Sequence, residues 1–385
     1  MFGLSNLKTM RKIAIDANRA IIEGAGIGRY TFEIIDNLLE ADKENEYLLI
    51  FTHLRSDEQK RRKVAKLTRN GKIKSIHLPL PGGFKELLWG WRIPWYRCLL
   101  KGCDLFFAPS FFEVNMGLGI SQVVAIHDLT PCLFPDQRGG GVSRKLCRKT
   151  NEACQKAVKV ITISKSTKKD LIKVHSIDPD KIEVTYLGQK KFGAVSQVLP
   201  DRLKKRSYIL SASTIEPRKN LSRLLKAFGS LDPKLRKQYP LVVAGAKGWN
   251  TGEIYDTLHK YKLEDEVIFL GYISDEMLAS VYKNCLFFVY PSLYEGFGLP
   301  ILEALSFGKA VLTSKTSSMP EVAGEAALLV DPQDEKQIAD GLEKLITDTN
   351  FRAGLEAKSQ VQANKFSWEK CAKETLKILN GINKS

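Results

Sequence analysis

The sequence has no apolar run near the roughly 18 residues that a membrane-crossing helix needs, no short-period repeat and no low-complexity tract. Helical membrane spans and solenoids are therefore excluded from the reading. Cysteine is sparse and odd in number, seven in 385 residues. Cys98 and Cys103 stand five apart, and no Cys/His group has the spacing of a zinc site. The cysteines read as reduced thiols in a cytoplasmic compartment, and no metal site is expected. The residues before Met10 are too few and too polar for a secretory leader. Among basic stretches, none is interleaved with aromatics in the manner of a nucleic-acid reader, so no nucleic-acid partner is expected.

What is present is a folded chain, 44% hydrophobic and 26% charged, too long for one ordinary core. Its net charge of +16 is uneven. Residues 1–200 carry a surplus of about +13 and residues 201–385 about +3. The basic first half suits an anionic partner such as a membrane surface, a lipid phosphate or a nucleic acid, or else is a solvated basic face.

Short β-branched runs alternate with amphipathic stretches. In the first half, strands are expected at Lys12–Ala17, Tyr47–Thr52, Lys72–His77, Leu105–Ala108, Val123–His127 and Val158–Ser164. A second series begins at Tyr208–Ala212 and runs through Leu241–Ala244, Val267–Leu270, Leu286–Tyr290, Ala310–Thr313 and Ala327–Val330. Such alternation predicts parallel sheets with crossover helices. Two doubly wound domains follow, residues 1–195 and 196–365, with the linker in the polar stretch Gly188 to Arg206. A final segment, 366–385, reads as a helix. Ligands of open α/β sheets bind outside the carboxyl ends of the strands, so the loops there carry the functional argument.

The segment Pro291 to Ala304 follows an apolar strand and opens a helix through Gly296, Phe297 and Gly298. Pro300 fits the first turn, where its missing N–H costs nothing. Amides at Phe297, Gly298 and Leu299 would meet an anion in front of the helix. Glu295 and Glu303 could each accept hydrogen bonds from paired hydroxyls. The segment Thr214 to Leu221 sets Arg218 and Lys219 beside a helix start, where the macrodipole disfavours cations unless a phosphate lies between them. The loop Gly24 to Tyr30 can bring backbone close to a ligand through Gly26 and Gly28, or is an ordinary strand-to-helix turn. His127 and Asp128 end a strand, and a lone histidine there can equally be structural. In the second half, Gly245, Lys247 and Tyr272 stand at strand ends where backbone groups could read a base edge. Trp249 fits either that role or packing.

The Glu295–Glu303 segment resembles the E-x7-E motif of glycosyltransferase family 4, a family of retaining enzymes with the GT-B fold. The match extends over most of the chain, from Gly24 to about Pro332. The resemblance implies two Rossmann-like domains facing a cleft, with the last helix crossing back onto the first domain. It implies that Glu295 contacts the donor sugar, that Glu303 contacts the ribose, and that the amides of Gly298, Leu299, Pro300 and Ile301 hold the donor near its phosphates. It further implies that Arg218 and Lys219 stabilise the departing nucleoside diphosphate and that His127 hydrogen-bonds the sugar. Ser213 departs from the glycine common at its position. The segments around Gly28, His127, Lys219 and Lys247 are similar to the mannosyltransferase branch, which favours GDP-mannose over a UDP- or ADP-sugar.

The expected activity is retaining hexosyl transfer to a glycan or lipid-linked saccharide, without metal or cofactor beyond the nucleotide-sugar itself. Competing readings are an epimerase or phosphorylase of the same fold, an inactive sugar-nucleotide binder, and a nucleic-acid-binding protein. The Trp-rich stretch Phe84 to Arg97 is expected either as a core helix or as a peripheral contact with the inner face of the membrane.

Overall fold

A computed structural model describes residues 10–22, 26–52, 57–69, 73–78, 99–111, 119–138, 140–193, 199–204, 206–249 and 251–383. Phe84 to Arg97, with its tryptophans, lies outside these residues, as does Gly24. The chain divides into two compact units: Met1–Leu187 together with Trp368–Ser385, and Gly188–Ser367. The division falls earlier than residue 195 for a packing reason. Leu187 is buried and is the last residue of the first unit before the crossover. Phe192, in contrast, sets its ring 5.1 Å from that of Phe307 in the second, and Lys190 pairs with Asp275.

The first unit is built on a seven-stranded sheet with every described pairing parallel, ordered β3-β2-β1-β4-β5-β6-β7. Its strands are β1 (Lys12–Asp16), β2 (Glu46–Thr52), β3 (Ile73–Leu78), β4 (Leu105–Ala108), β5 (Ser121–Ile126), β6 (Lys159–Thr162) and β7 (Ile182–Val184). β1, β4 and β5 are buried along nearly their whole length and apolar through their middles, as expected of parallel strands covered on both faces. The three-residue β7 is too short to show a period and was not legible as a strand. The helix Ile27–Ala41 packs against the carboxyl-terminal helix Trp368–Asn380. Arg11 Nη1 donates to Leu379 O and Asn45 Nδ2 to Asn380 Oδ1, fastening that last helix to the sheet's amino end.

The second unit repeats the plan with six parallel strands, ordered β10-β9-β8-β11-β12-β13. They are β8 (Ile209–Ala212), β9 (Leu241–Ala244), β10 (Val267–Gly271), β11 (Phe287–Tyr290), β12 (Val311–Ser314) and β13 (Ala327–Val330). This is the doubly wound order in which the winding reverses between the first and fourth strands, here β8 and β11. Loops leaving the two strands at such a reversal run to opposite sides and leave a crevice at their carboxyl ends. Among the described residues no helix is long and apolar enough to cross a membrane.

Candidate active site

The crevice of the second unit is where two of the sequence motifs meet. β8 ends at Ala212 and its loop turns through a short 3-10 segment, Pro217–Lys219. β11 ends at Tyr290 and leads to Glu295. Asn220 locks the two loops together. It takes a left-handed backbone (φ 63°), which asparagine tolerates better than most residues. Its Nδ2 donates to Pro291 O at 2.9 Å and Pro332 O at 2.6 Å. The Leu293 amide also donates to Arg218 O.

This frame brings four charged side chains together. Arg218 pairs with Glu216 at 2.6 Å and with Glu295 at 2.9 Å. Lys219 Nζ lies 2.7 Å from Glu295 Oε1 and donates to Tyr290 Oη at 2.8 Å. Ser292 Oγ and Tyr290 Oη donate to the same Glu295 oxygen, at 2.7 and 2.8 Å. Ser317 and Ser318 donate to Glu295 O, which fixes the loop behind the carboxylate. Two cations and two carboxylates balance, so the buried cluster is neutral. Burial alone would raise the Glu295 carboxyl, but Arg218 and Lys219 outweigh it and hold it at about 2. Burial pushes the Lys219 ammonium below its usual value, against the attraction of Glu295. The macrodipole conflict anticipated from the sequence is thus met partly within the protein, by Glu216 and Glu295. The sequence reading missed Glu216, Tyr290, Ser292 and Asn220. An acidic residue two places before Arg218 was the one available signal.

Glu303 lies on the helix Leu299–Ser306 and is buried, with Tyr282 Oη donating to it at 3.2 Å. Gly298 caps this helix at φ 112°, where a Cβ would meet Ile301 Cδ1 at 3.2 Å. The expected row of four donor amides is shorter than the sequence suggested. Pro300 has no N–H, and the Ile301 amide donates to Gly298 O at 3.0 Å. The amides of Gly298 and Leu299 remain at the helix start.

At the ends of β9 and β10 the geometry also narrows the expectation. A Cβ on Gly245 would stand 1.8 Å from Ser213 O, so this glycine is demanded by the protein's own backbone. Its amide is given to Gly271 O at 2.8 Å and is not open for base reading. Lys247 Nζ sits 5.2 Å from the centroid of Tyr255, and Tyr272 is 84% exposed.

In the first unit, β5 delivers His127 to the carboxyl end of the sheet beside the β1–β4 reversal. The ring is buried, meets Tyr30 edge-on at 4.6 Å, and places Nε2 2.8 Å from Pro109 O. Tyr30 is backed in turn by Trp368 at 6.2 Å. Burial lowers the His127 pKa, against the Pro109 carbonyl and the Asp128 charge, so the ring is neutral near pH 7. A carbonyl only accepts, so Nε2 carries the proton and Nδ1 is left as an acceptor. Asp128 Oδ1 accepts from the Thr130 amide at 2.8 Å, a local turn role. Gly26 caps the helix Ile27–Ala41 with φ 53°, and Gly28 is buried in its first turn.

One sequence expectation is overturned here. Cys132 and Cys147 form a disulfide, so these two are not reduced thiols. His175 joins them in a group with metal-ligating chemistry. Spacings of fifteen and twenty-eight residues match no local motif, because three separate helices supply the groups.

Residues 200–362 match the family model described as glycosyl transferases group 1, and residues 24–188 match that of glycosyltransferase family 4. The chain is 30% identical over 368 residues to the O-antigen chain mannosyltransferase B of Escherichia coli, covering 91% of this chain and 94% of the relative. Among solved structures it is similar in fold to sucrose-phosphate synthase from Thermosynechococcus elongatus. That match has a TM-score of 0.74 at 17% identity and covers 96% of this chain and 98% of the other. It is also similar to Anabaena HepE in complex with UDP-glucose, with a TM-score of 0.71 at 18% identity over 97% and 100%.

Proposed function

The chain belongs to glycosyltransferase family 4, and from that premise we propose that it transfers mannose, with retention, from GDP-mannose to a glycan or lipid-linked saccharide of polysaccharide biosynthesis. The observation that carries this reading is the Arg218–Lys219–Glu295 cluster at the β8–β11 reversal, held in place by Asn220. The mannosyl assignment is supported by the named activity of the E. coli relative, which this chain matches along nearly its whole length.

In this reading the donor diphosphate lies against Arg218 and Lys219, near the amides of Gly298 and Leu299. The cations are already oriented by Glu216 and Glu295, so little reorganisation is needed as charge grows on the leaving diphosphate. Such prearranged electrostatics are usually the largest catalytic contribution. Glu295 offers its carboxylate to the sugar, and Glu303, oriented by Tyr282, to the ribose. Neutral His127 accepts a hydroxyl hydrogen bond at Nδ1. The acceptor hydroxyl attacks the face that the diphosphate leaves, and its proton passes to a leaving phosphate oxygen. No divalent metal takes part in the step.

The test is a donor screen. Slow hydrolysis of GDP-mannose should exceed that of UDP- and ADP-hexoses, and the released anomer should initially match the donor. Faster turnover of a UDP- or ADP-sugar overturns the donor, and the opposite anomer overturns retention.

A further inference from the structure

Cys132 lies in the short helix Thr130–Leu133, four residues beyond Asp128. Cys147 is in the helix Gly140–Lys156. His175 ends the helix Lys165–His175, where Ser176 turns the chain in a left-handed conformation. Their ligating atoms all lie within 4.8 Å of one another in a half-buried position. The imidazole Nε2 is 3.4 Å from Cys132 Sγ and 3.9 Å from Cys147 Sγ. A disulfide by itself has no use for an imidazole aimed at both of its sulfurs. We propose that, once the Cys132–Cys147 bond is reduced, Cys132, Cys147 and His175 bind one zinc ion, with water in the fourth position.

The distances fit the chemistry. Tetrahedral zinc has bonds of about 2.3 Å to thiolate and about 2.0 Å to imidazole, which sets sulfur–nitrogen separations of roughly 3.5 Å. The two observed separations bracket that value. The same geometry sets the sulfurs roughly 3.8 Å apart, a distance they can reach only after the bond is opened. Two thiolates and one imidazole form a soft set that selects zinc over magnesium or calcium. Gln155 Nε2 donates to His175 O at 3.4 Å and helps hold the helix end.

The redox step balances. A dithiol reductant supplies two electrons and two protons to the sulfur–sulfur bond and closes to its own cyclic disulfide. Zinc then displaces the two thiol protons to solvent as the thiolates bind. When oxidised, the helix that follows the His127 loop is tied to one neighbouring helix by the covalent bond; when reduced, the metal would tie it to two.

The experiment uses the full chain, either as the disulfide or after reduction with a dithiol that is then removed. Each form is titrated with cobalt(II), whose tetrahedral thiolate complexes absorb visibly, and the cobalt is then displaced by zinc. The reduced chain should bind one equivalent and the disulfide form none. Cys132→Ser and Cys147→Ser should each abolish the visible band. His175→Gln should still form the disulfide but bind cobalt at least tenfold more weakly. No stoichiometric uptake by the reduced wild type, or equal uptake by the two serine variants, overturns the proposal. Equal affinity in His175→Gln overturns the role of the histidine. The oxidised and reduced wild type keep the comparison decisive even where a variant folds poorly.

Discussion

Replacing Glu295 with Gln keeps the size of the side chain and removes its charge. Arg218 and Lys219 hold the wild-type carboxyl at about 2 rather than the ordinary 4.5. That gap, at about 1.36 kcal/mol per pH unit, makes ionised Glu295 worth about 3 kcal/mol to the folded second unit at pH 7. Because the folded value is depressed, the contribution is complete above the unfolded pKa and declines as pH falls towards the folded one. About 2 kcal/mol of it should be gone by pH 3. Urea unfolding of wild type and Glu295→Gln, followed by circular dichroism between pH 7 and pH 3, measures the difference directly. The gap between the two proteins should be largest at neutral pH, about 3 kcal/mol, the loss of the attraction between this carboxylate and Arg218 and Lys219. It should then narrow steadily with acid. A gap that stays constant over this range refutes the claim that the charge of Glu295, rather than its packing, holds the cluster. In the same variant, donor turnover should fall while the free nucleoside diphosphate binds no more weakly, since a negative charge has left the neighbourhood of the phosphates.

Arg218→Ala and Lys219→Ala should each lower kcat by on the order of 10²-fold, because both act on charge that peaks in the transition state; near-normal rates in both would sink their assignment. Tyr282→Phe should weaken nucleoside diphosphate binding by about 1 kcal/mol through a less firmly held Glu303, read by calorimetry, with unchanged affinity counting against the ribose role. Gly245→Ala should destabilise the second unit by several kcal/mol, since its Cβ would stand 1.8 Å from Ser213 O; an unchanged denaturation midpoint would contradict that close approach. EDTA added to the disulfide form should leave the transfer rate intact, whereas a loss restored by magnesium would place a metal in the reaction.

Much of the architecture was legible in the sequence, because strands covered on both faces must be apolar along their whole length. Phe287–Tyr290 and Leu241–Ala244 announce themselves this way, and the glycines and Pro300 around the helix Leu299–Ser306 mark its start. The charges of Arg218 and Lys219 and the carboxylates of Glu295 and Glu303 were visible as chemistry. What pairs with what was decided by the tertiary structure. Glu216 and Glu295 are separated by 79 positions, and only the reversal between β8 and β11 sets both against the same two cations. The proton position on His127 depends on Pro109 O, eighteen residues away on the neighbouring strand's loop. Gly245 looked like a ligand-facing glycine, but its shape is dictated by Ser213. Cys132, Cys147 and His175 share no sequence spacing that signals a site, since each comes from a different helix and only the packing of those helices converges them. Local pattern fixes which residues form strands and turns because it acts through neighbouring backbone. Contacts between distant residues depend on how sheets order and helices pack, which no local window contains.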